Sequence, residues 1–339
     1  MKAAIGAIEY YLPEQVLSSA HLASEFPDWP LEKIEQRTGI RERHIAGSDE
    51  CSSDLGVAAA RKLFDSGVCE PGDIDYLLLC TQSPDYFLPS TACLLQDRLG
   101  IPTSAGALDF NLGCSGYIYG LSLAQGLIET GQARRLLLIT AETYSKFIHP
   151  LDKSVRTIFG DAAAATLIEA VEGDGSPYIG PFVLGTDGRG ARNLLVPTGG
   201  MRRPRSAESG IPKEAESGNW RSCDNLYMDG PKVFEFTLRV VPDCVAAALK
   251  RAQKQIHEID HFVFHQANEF MLEHLRAKLH IPPERFSIAL SGCGNTVSST
   301  IPIAMKQGRE KGQIQGDHLI MLVGFGVGYS WGATFVRWP

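Results

Sequence analysis

The sequence lacks most of the features that assign a chain at first reading. Its eight cysteines (51, 69, 80, 93, 114, 223, 244 and 293) are scattered through 339 residues, with no C-x-x-C pair and no zinc-like spacing. Neither a disulfide framework nor a metal centre is expected, and each thiol has to be judged alone. Excess positive charge is missing too: 32 Lys and Arg stand against 39 Asp and Glu, a net charge of -7. That excludes a general basic field for nucleic acid or anionic lipid. No apolar run is long enough to span a bilayer, and the run that begins at Met1 stops at Glu9, too short for the core of a signal peptide. A soluble, cytoplasmic protein is expected. Its composition, 44% hydrophobic and 21% charged, is ordinary for a globular chain, and the length allows two core-sized units.

What the chain does have is one conspicuous turn. An apolar run from Ala105 to Phe110 ends in Gly113-Cys114-Ser115-Gly116, and Tyr117 to Thr130 then shows helical length and spacing. Cys114 is thereby placed where a strand turns into a helix. A thiol at that position feels unpaired backbone N–H groups and the positive end of the helix dipole, which favour the thiolate, so its activation is expected mainly from the helix start.

The second feature is an internal repeat. Ile74 to Cys80 and Ile259 to His265 are matching apolar runs, each followed by a helix closing near a leucine, Leu99 or Leu279. A second strand and a Gly-Cys turn come next, Gly113-Cys114 in one half and Gly292-Cys293 in the other, and then a helix, from Tyr117 or from Thr296. Strands Leu136 to Thr140 and Leu319 to Val323 close the two series. Order of elements, more than identity of residues, carries the match. Two α/β halves related by a pseudo-twofold axis bring corresponding loops together at their interface, a usual place for a site. The halves are read as residues 1–172 and 226–339, joined by a linker and surface flap over 173–225 whose part from Pro197 to Asn225 is rich in Gly, Pro, Ser and charge.

The repeat therefore gathers Cys114, His265 of His265-Gln266-Ala267-Asn268, and Asn295 of Gly294-Asn295-Thr296. A Cys thiolate suits attack on a thioester, because exchanging one thiolate for another is nearly balanced in energy. A neutral His and an Asn amide can both donate hydrogen bonds to one oxygen, as an enolate requires. Glycines in Gly324-Phe325-Gly326-Val327-Gly328 allow backbone N–H groups to approach a reacting oxyanion. Cys80 and Cys293 read as packing residues, Asp161 as structural, and the charges from Arg41 to Arg43 with His44 as solvated surface or interface.

Taken together, Gly113-Cys114-Ser115-Gly116, His265-Gln266-Ala267-Asn268, Gly294-Asn295-Thr296, Arg37-Thr38-Gly39-Ile40-Arg41-Glu42-Arg43, Phe159-Gly160-Asp161-Ala162 and the glycine-rich ending through Trp331-Gly332 resemble β-ketoacyl-acyl-carrier-protein synthase III, one of the thiolase-fold condensing enzymes. The resemblance runs from about residue 2 to Arg337. It implies a five-layered αβαβα fold and a homodimer. It also implies decarboxylative condensation of an acyl-CoA with malonyl-acyl-carrier protein, both as substrates and with no further cofactor. Cys114 would carry the acyl group, His265 and Asn295 would stabilise the enolate, and the N–H groups of Cys114 and Val327 would form the oxyanion hole. Arg37 and Lys153 would face the coenzyme A phosphates, Asn268 the pantetheine arm, and Leu88 the acyl pocket, from across the dimer interface. Three positions depart from the family pattern: Lys33 where a Trp stacks on adenine, Pro231 where an Asn contacts pantetheine, and Phe270 where a basic residue docks the carrier. Trp29 could replace the missing Trp only if the loop carries an insertion. A rival expectation on the same fold is acyl transfer from Cys114 to an alcohol or amine.

Overall fold

Apolar runs become the strands of two sheets, and the four strands that the sheets have in common lie in the same order. The computed structural model describes residues 1–173, 178–215 and 218–338. Residues 174–177 of the expected linker and 216–217 of the expected flap lie outside the described residues. The first sheet holds β1 (Lys2–Tyr11), β2 (Tyr76–Cys80), β3 (Gly106–Phe110), β4 (Arg135–Glu142) and β5 (Ala162–Val171), side by side as β1-β5-β4-β2-β3. The second holds β6 (Val183–Thr186), β7 (His261–Phe264), β8 (Leu319–Gly326) and β9 (Ser330–Arg337), side by side as β6-β9-β8-β7. Direction repeats as well. β4 with β2 and β8 with β7 are parallel, while β1-β5-β4 and β6-β9-β8 are antiparallel. Strand β6 lies within the stretch expected to link the halves and forms an edge of the second sheet.

Seven of the nine α-helices among the described residues matter here: α1 (Leu31–Thr38), α2 (Ser52–Asp65), α3 (Thr91–Arg98), α4 (Gly116–Glu129), α5 (Gly230–Ala252), α6 (Glu269–Lys278) and α7 (Thr300–Glu310). Helices α4 and α7 lie between the sheets and touch strands of both. This explains why Tyr117, Ile118, Leu121, Ala124 and Ile128 of α4 are all buried, since a helix covered on both faces cannot keep a polar stripe. Ile118 and Leu121 share one cluster with Leu138 of β4, Ile301 and Met305 of α7, and Leu322 of β8. Burying each such side chain is worth roughly 1.5–3 kcal/mol relative to exposure. Outside, α2 and α3 cover the first sheet and α5 and α6 the second, which gives the order αβαβα.

Two expectations need correction. Among the described residues the second half has no counterpart of β3, only a bridge from Phe262 to Phe286 with Ser287 N–H bonded to the Phe262 carbonyl at 3.0 Å. A side chain replaces the ladder: the Gln266 amide donates to the Ser287 carbonyl at 3.2 Å and accepts from Ala289 N–H at 2.7 Å. Arg43, expected at the surface, is fully buried. Its guanidinium donates to the Leu17 and Thr157 carbonyls, both at 3.2 Å, and to Ser19 Oγ at 2.9 Å.

Candidate active site

Each half ends its central strands at the same face, and the loops that follow carry the polar residues of the site. Cys114 follows β3 and immediately precedes Ser115, the residue that opens α4. His265 follows β7, anchored by its own N–H to the Val323 carbonyl of β8 at 2.8 Å. Asn295 is held from the first half, its N–H donating to the Ile158 carbonyl at 3.0 Å and its carbonyl accepting from Gly160 N–H at 3.1 Å. Gly294 makes this approach possible. Its φ is +70°, and a Cβ there would lie 2.9 Å from the Ile158 carbonyl oxygen, so a side chain would be both strained and obstructed.

Cys114, His265 and Asn295 line one cavity of about 460 Å³, together with Asn268, Phe325 and Gly326. Asn295 is oriented by its neighbours. Its Oδ1 accepts from Val297 N–H at 2.9 Å and its Nδ2 donates to the Ala267 carbonyl at 3.4 Å, leaving one amide hydrogen for a ligand. Burial pushes the His265 pKa down to about 3, so the ring is neutral at physiological pH.

The thiol behaves differently from the sequence expectation. Burial pushes the Cys114 pKa up to about 12, against backbone N–H groups of Val327 and of Cys114 itself that pull it down. The helix start does not by itself make a resting thiolate, because Cys114 is enclosed in low-dielectric surroundings that penalise the charge. Gly326 is the reason Val327 can reach it: a Cβ on Gly326 would stand 2.6 Å from both Cβ and Sγ of Cys114.

Asn268 caps α6, its Oδ1 accepting from Met271 N–H at 2.8 Å. Arg37 and Lys33 both lie over the Trp29 ring, at 5.4 and 5.2 Å from its centre, so the indole stands beside both cations. Lys153 is nearly buried and paired with Asp28. Phe270 is half exposed and packs on Phe234 and His274, with ring centres 5.7 and 4.2 Å away. Leu88 is absent from the described lining of this cavity and of the second one beside it, and is 82% exposed, next to Phe87 at 80%. A second, open cavity of about 1000 Å³ shares Leu194 with the first and runs past Val327, Gln82, Tyr144, Phe87 and Arg205.

Sequence reading missed three residues around the site. Glu142 is buried at the end of β4, accepting from Gln82 N–H at 3.0 Å, Ser83 Oγ at 3.1 Å and Ser298 Oγ at 3.2 Å. Tyr144 donates to Gln82 Oε1 at 2.6 Å. Thr300 Oγ1 lies 2.7 Å from Nδ1 of His265. The signal available for Glu142 was a carboxylate closing the apolar run from Leu136 to Ala141, a position where no solvent is expected.

Residues 108–188 match the family model for 3-oxoacyl-[acyl-carrier-protein (ACP)] synthase III, and residues 249–338 match the model for its C terminal. A β-ketoacyl-[acyl-carrier-protein] synthase III of Caldanaerobacter subterraneus subsp. tengcongensis is 36% identical over 328 residues, 97% of this chain and 95% of that protein. Among solved structures, a 3-oxoacyl-(acyl-carrier-protein) synthase III is 54% identical with a TM-score of 0.98, each chain covered in full. A 3-oxoacyl-(acyl-carrier protein) synthase from Burkholderia xenovorans LB400 is 36% identical with a TM-score of 0.91, covering 100% of this chain and 94% of that one. Both the two-sheet architecture and the full-length similarity lead to one assignment: the chain belongs to the β-ketoacyl-[acyl-carrier-protein] synthase III family of thiolase-fold condensing acyltransferases, which initiate fatty-acid synthesis by joining an acyl-CoA to malonyl-acyl-carrier protein.

Proposed function

We propose that Cys114 accepts the acyl group from acyl-CoA and that His265 and Asn295 then drive decarboxylation of malonyl-carrier protein. One observation carries this reading: three side chains of thioester and enolate chemistry arrive from separate elements on a single, largely apolar cavity. Sulfur attacks the acyl carbonyl, whose oxygen takes its charge against the N–H groups of Cys114 and Val327. Coenzyme A leaves. The malonyl thioester enters next, and its oxygen receives hydrogen bonds from His265 and the free amide hydrogen of Asn295 as carbon dioxide departs. The carbanion attacks the acyl thioester and releases a 3-oxoacyl product.

The remaining roles follow the same reading. Arg37 and Lys153, with Trp29 beside them, receive the coenzyme A nucleotide, and Asn268 the pantetheine arm. Leu88 serves a partner protomer's acyl pocket in a cytoplasmic homodimer, and no cofactor is used beyond the two substrates. The halves 1–172 and 226–339, joined through 173–225, contribute nucleophile and enolate donors respectively.

Cys114→Ala tests the assignment. Intact-mass measurement after exposure to a panel of acyl-CoAs should show one acyl adduct on the native enzyme and none on the variant. Carbon dioxide released from malonyl-carrier protein in the presence of acyl-CoA separates condensation from simple acyl transfer. An adduct that persists in the variant, or acylation without carbon dioxide release, would refute the reading.

A further inference from the structure

Asn295 takes its position from residues 157–161, and the other side of that segment rests on Arg43. Asn295 N–H donates to the Ile158 carbonyl at 3.0 Å and Gly160 N–H to the Asn295 carbonyl at 3.1 Å, so Phe159 and Asn295 run side by side as a short parallel bridge. The segment is fastened in turn to the strand Glu42–Ile45. At one end Asp161 N–H donates to the His44 carbonyl at 2.8 Å, and the Asp161 carboxylate accepts from Ala46 N–H at 2.8 Å. At the other end the guanidinium of Arg43 donates to the Thr157 carbonyl at 3.2 Å. Between the two ends Arg43 packs against both glycines of the crossing, for a Cβ added to Gly160 or to Gly294 would lie 3.2 Å from the Arg43 Cβ.

A side chain that merely filled this space would need no charge. Arg43 is fully buried. The charge that acts on it is another cation, Arg156, and burial pushes its pKa down to about 10, so it stays protonated at physiological pH. Burying a cation without an opposite charge is costly, and a Met of similar length would avoid that cost. What Met cannot do is donate. The planar guanidinium reaches three segments at once, the Leu17 carbonyl at 3.2 Å, Ser19 Oγ at 2.9 Å and Thr157. Ser19 is fixed as an acceptor because its own hydrogen goes to the Ile40 carbonyl at 2.6 Å. One nitrogen, Nη2, spans Ser19 and Thr157, which ties the Thr157 carbonyl to the paired strands Gln15–Ser18 and Glu42–Ile45.

We propose that Arg43 is a positioning residue for Asn295: by holding the Thr157 end of the segment that grips the Asn295 backbone, it sets where the Asn295 amide meets the malonyl thioester. This rests on the enolate role given above to Asn295. Cys114 is anchored separately, at the start of α4, where Ser115 Oγ bonds Ser330 Oγ at 2.6 Å. Arg43 therefore acts on decarboxylation and leaves acylation of the thiol alone.

The test compares the two half-reactions in the full chain. At saturating acyl-CoA, Arg43→Met should form the adduct on Cys114 within about threefold of the native single-turnover rate. Once acylated, it should release carbon dioxide from malonyl-carrier protein on the order of 10- to 100-fold more slowly, the loss that a displacement of about 1 Å brings. A role in holding the fold alone would slow both steps alike. The second readout is coupling. In an Asn295→Ala background Arg43→Met should cost no more than about a further twofold, since a residue that acts through Asn295 then has nothing left to position. Where Arg43→Met does not fold, Arg43→Lys carries the same comparison. Its ammonium keeps the charge but cannot span the three acceptors, and it should slow carbon dioxide release by about threefold or more with acylation unchanged. Equal slowing of both steps, carbon dioxide release at the native rate, or losses that add in the double variant would overturn the proposal. A native enzyme that is acylated yet releases no carbon dioxide, or Asn295→Ala releasing it at the native rate, would instead overturn the role of Asn295, and both are read before any change at Arg43.

Discussion

Gly326 gives the sharpest test of how the thiol is held. Replacing it with Ala puts a methyl 2.6 Å from both Cβ and Sγ of Cys114, about 0.8 Å inside the 3.4 Å at which ordinary contact begins. Backbone surrounds both atoms. Gly326 is the last residue of β8 and pairs with Ser330, while Cys114 is fixed by the start of α4, where Ser115 Oγ bonds Ser330 Oγ at 2.6 Å. The strain must therefore be relieved by moving either the sulfur or the Val327 N–H that faces it, by most of an ångström. A displacement of that size costs on the order of 100-fold in a reaction that depends on near-attack geometry. Single-turnover acylation followed by intact mass reads the effect directly, and circular dichroism confirms that the fold persists. Gly292→Ala is the matched control, since a Cβ there meets nothing within 4 Å, and it should acylate at the native rate. Native-rate acylation by Gly326→Ala would refute the claim that close approach of this glycine sets the position of the nucleophile.

Three further outcomes follow from the same geometry. Burial pushes the Glu142 carboxyl up from 4.5 to about 8. Between those values the unfolded chain has released a proton that the folded chain retains, so stability should fall as pH rises through that window. Glu142→Gln, which cannot ionise, should flatten the dependence of the melting temperature on pH between about 5 and 8, and an unchanged slope would count against it. Trp29→Ala should raise KM for acyl-CoA several-fold, about what a cation–π contact is worth, and leave KM for the corresponding acyl-pantetheine unchanged; equal changes for both would remove Trp29 from the nucleotide's reach. Charging the exposed run at Phe87 and Leu88, as Phe87→Asp with Leu88→Asp, should shift the enzyme from dimer to monomer in sedimentation velocity, and a native profile would contradict the assignment of that loop to a protomer interface.

How far the sequence revealed this depends on whether a residue's partners are near it in the chain. Apolar runs such as Leu77 to Leu79 and Leu136 to Ile139 declare buried strands without help, because their pattern is local. Repeated order of runs and Gly-Cys turns then foretold two matching sheets and the meeting of Cys114, His265 and Asn295. Arg43 was misread because Arg41-Glu42-Arg43-His44 looks solvated as composition. In the structure Glu42–Ile45 is a strand, and alternation turns Arg43 inward, where carbonyls from distant segments receive it. The missing partner of β3 was hidden for the same reason: the Gln266 side chain takes over the pairing of Ser287 and Ala289, and no periodicity records such a substitution. The thiol's environment was the largest error. A helix start is readable from sequence, but the enclosure of Cys114 is made by Val327, Phe159, Tyr144 and others brought in by the tertiary fold.

The division of labour between the halves has a physical consequence for the site. Nucleophile and enolate donors belong to different halves, so their separation is set by whatever fixes one half against the other. At this junction the fixing groups are polar and short. Ser298 Oγ bonds Glu142, Ser299 Oγ bonds the Thr140 carbonyl at 3.1 Å, and Ser115 bonds Ser330. Directional bonds hold a single register, whereas an apolar seam of the same area would tolerate sliding by a fraction of an ångström. The three consecutive hydroxyl residues Ser298, Ser299 and Thr300 act on Glu142, the Thr140 carbonyl and His265 in turn. The segment that follows Asn295 thus ties the second half to the first and orients the histidine within the same three residues. The segment enters α7 through a 3-10 turn at Val297–Ser299, with Val297 at a φ of 55°, and the three hydroxyls leave it toward three different partners.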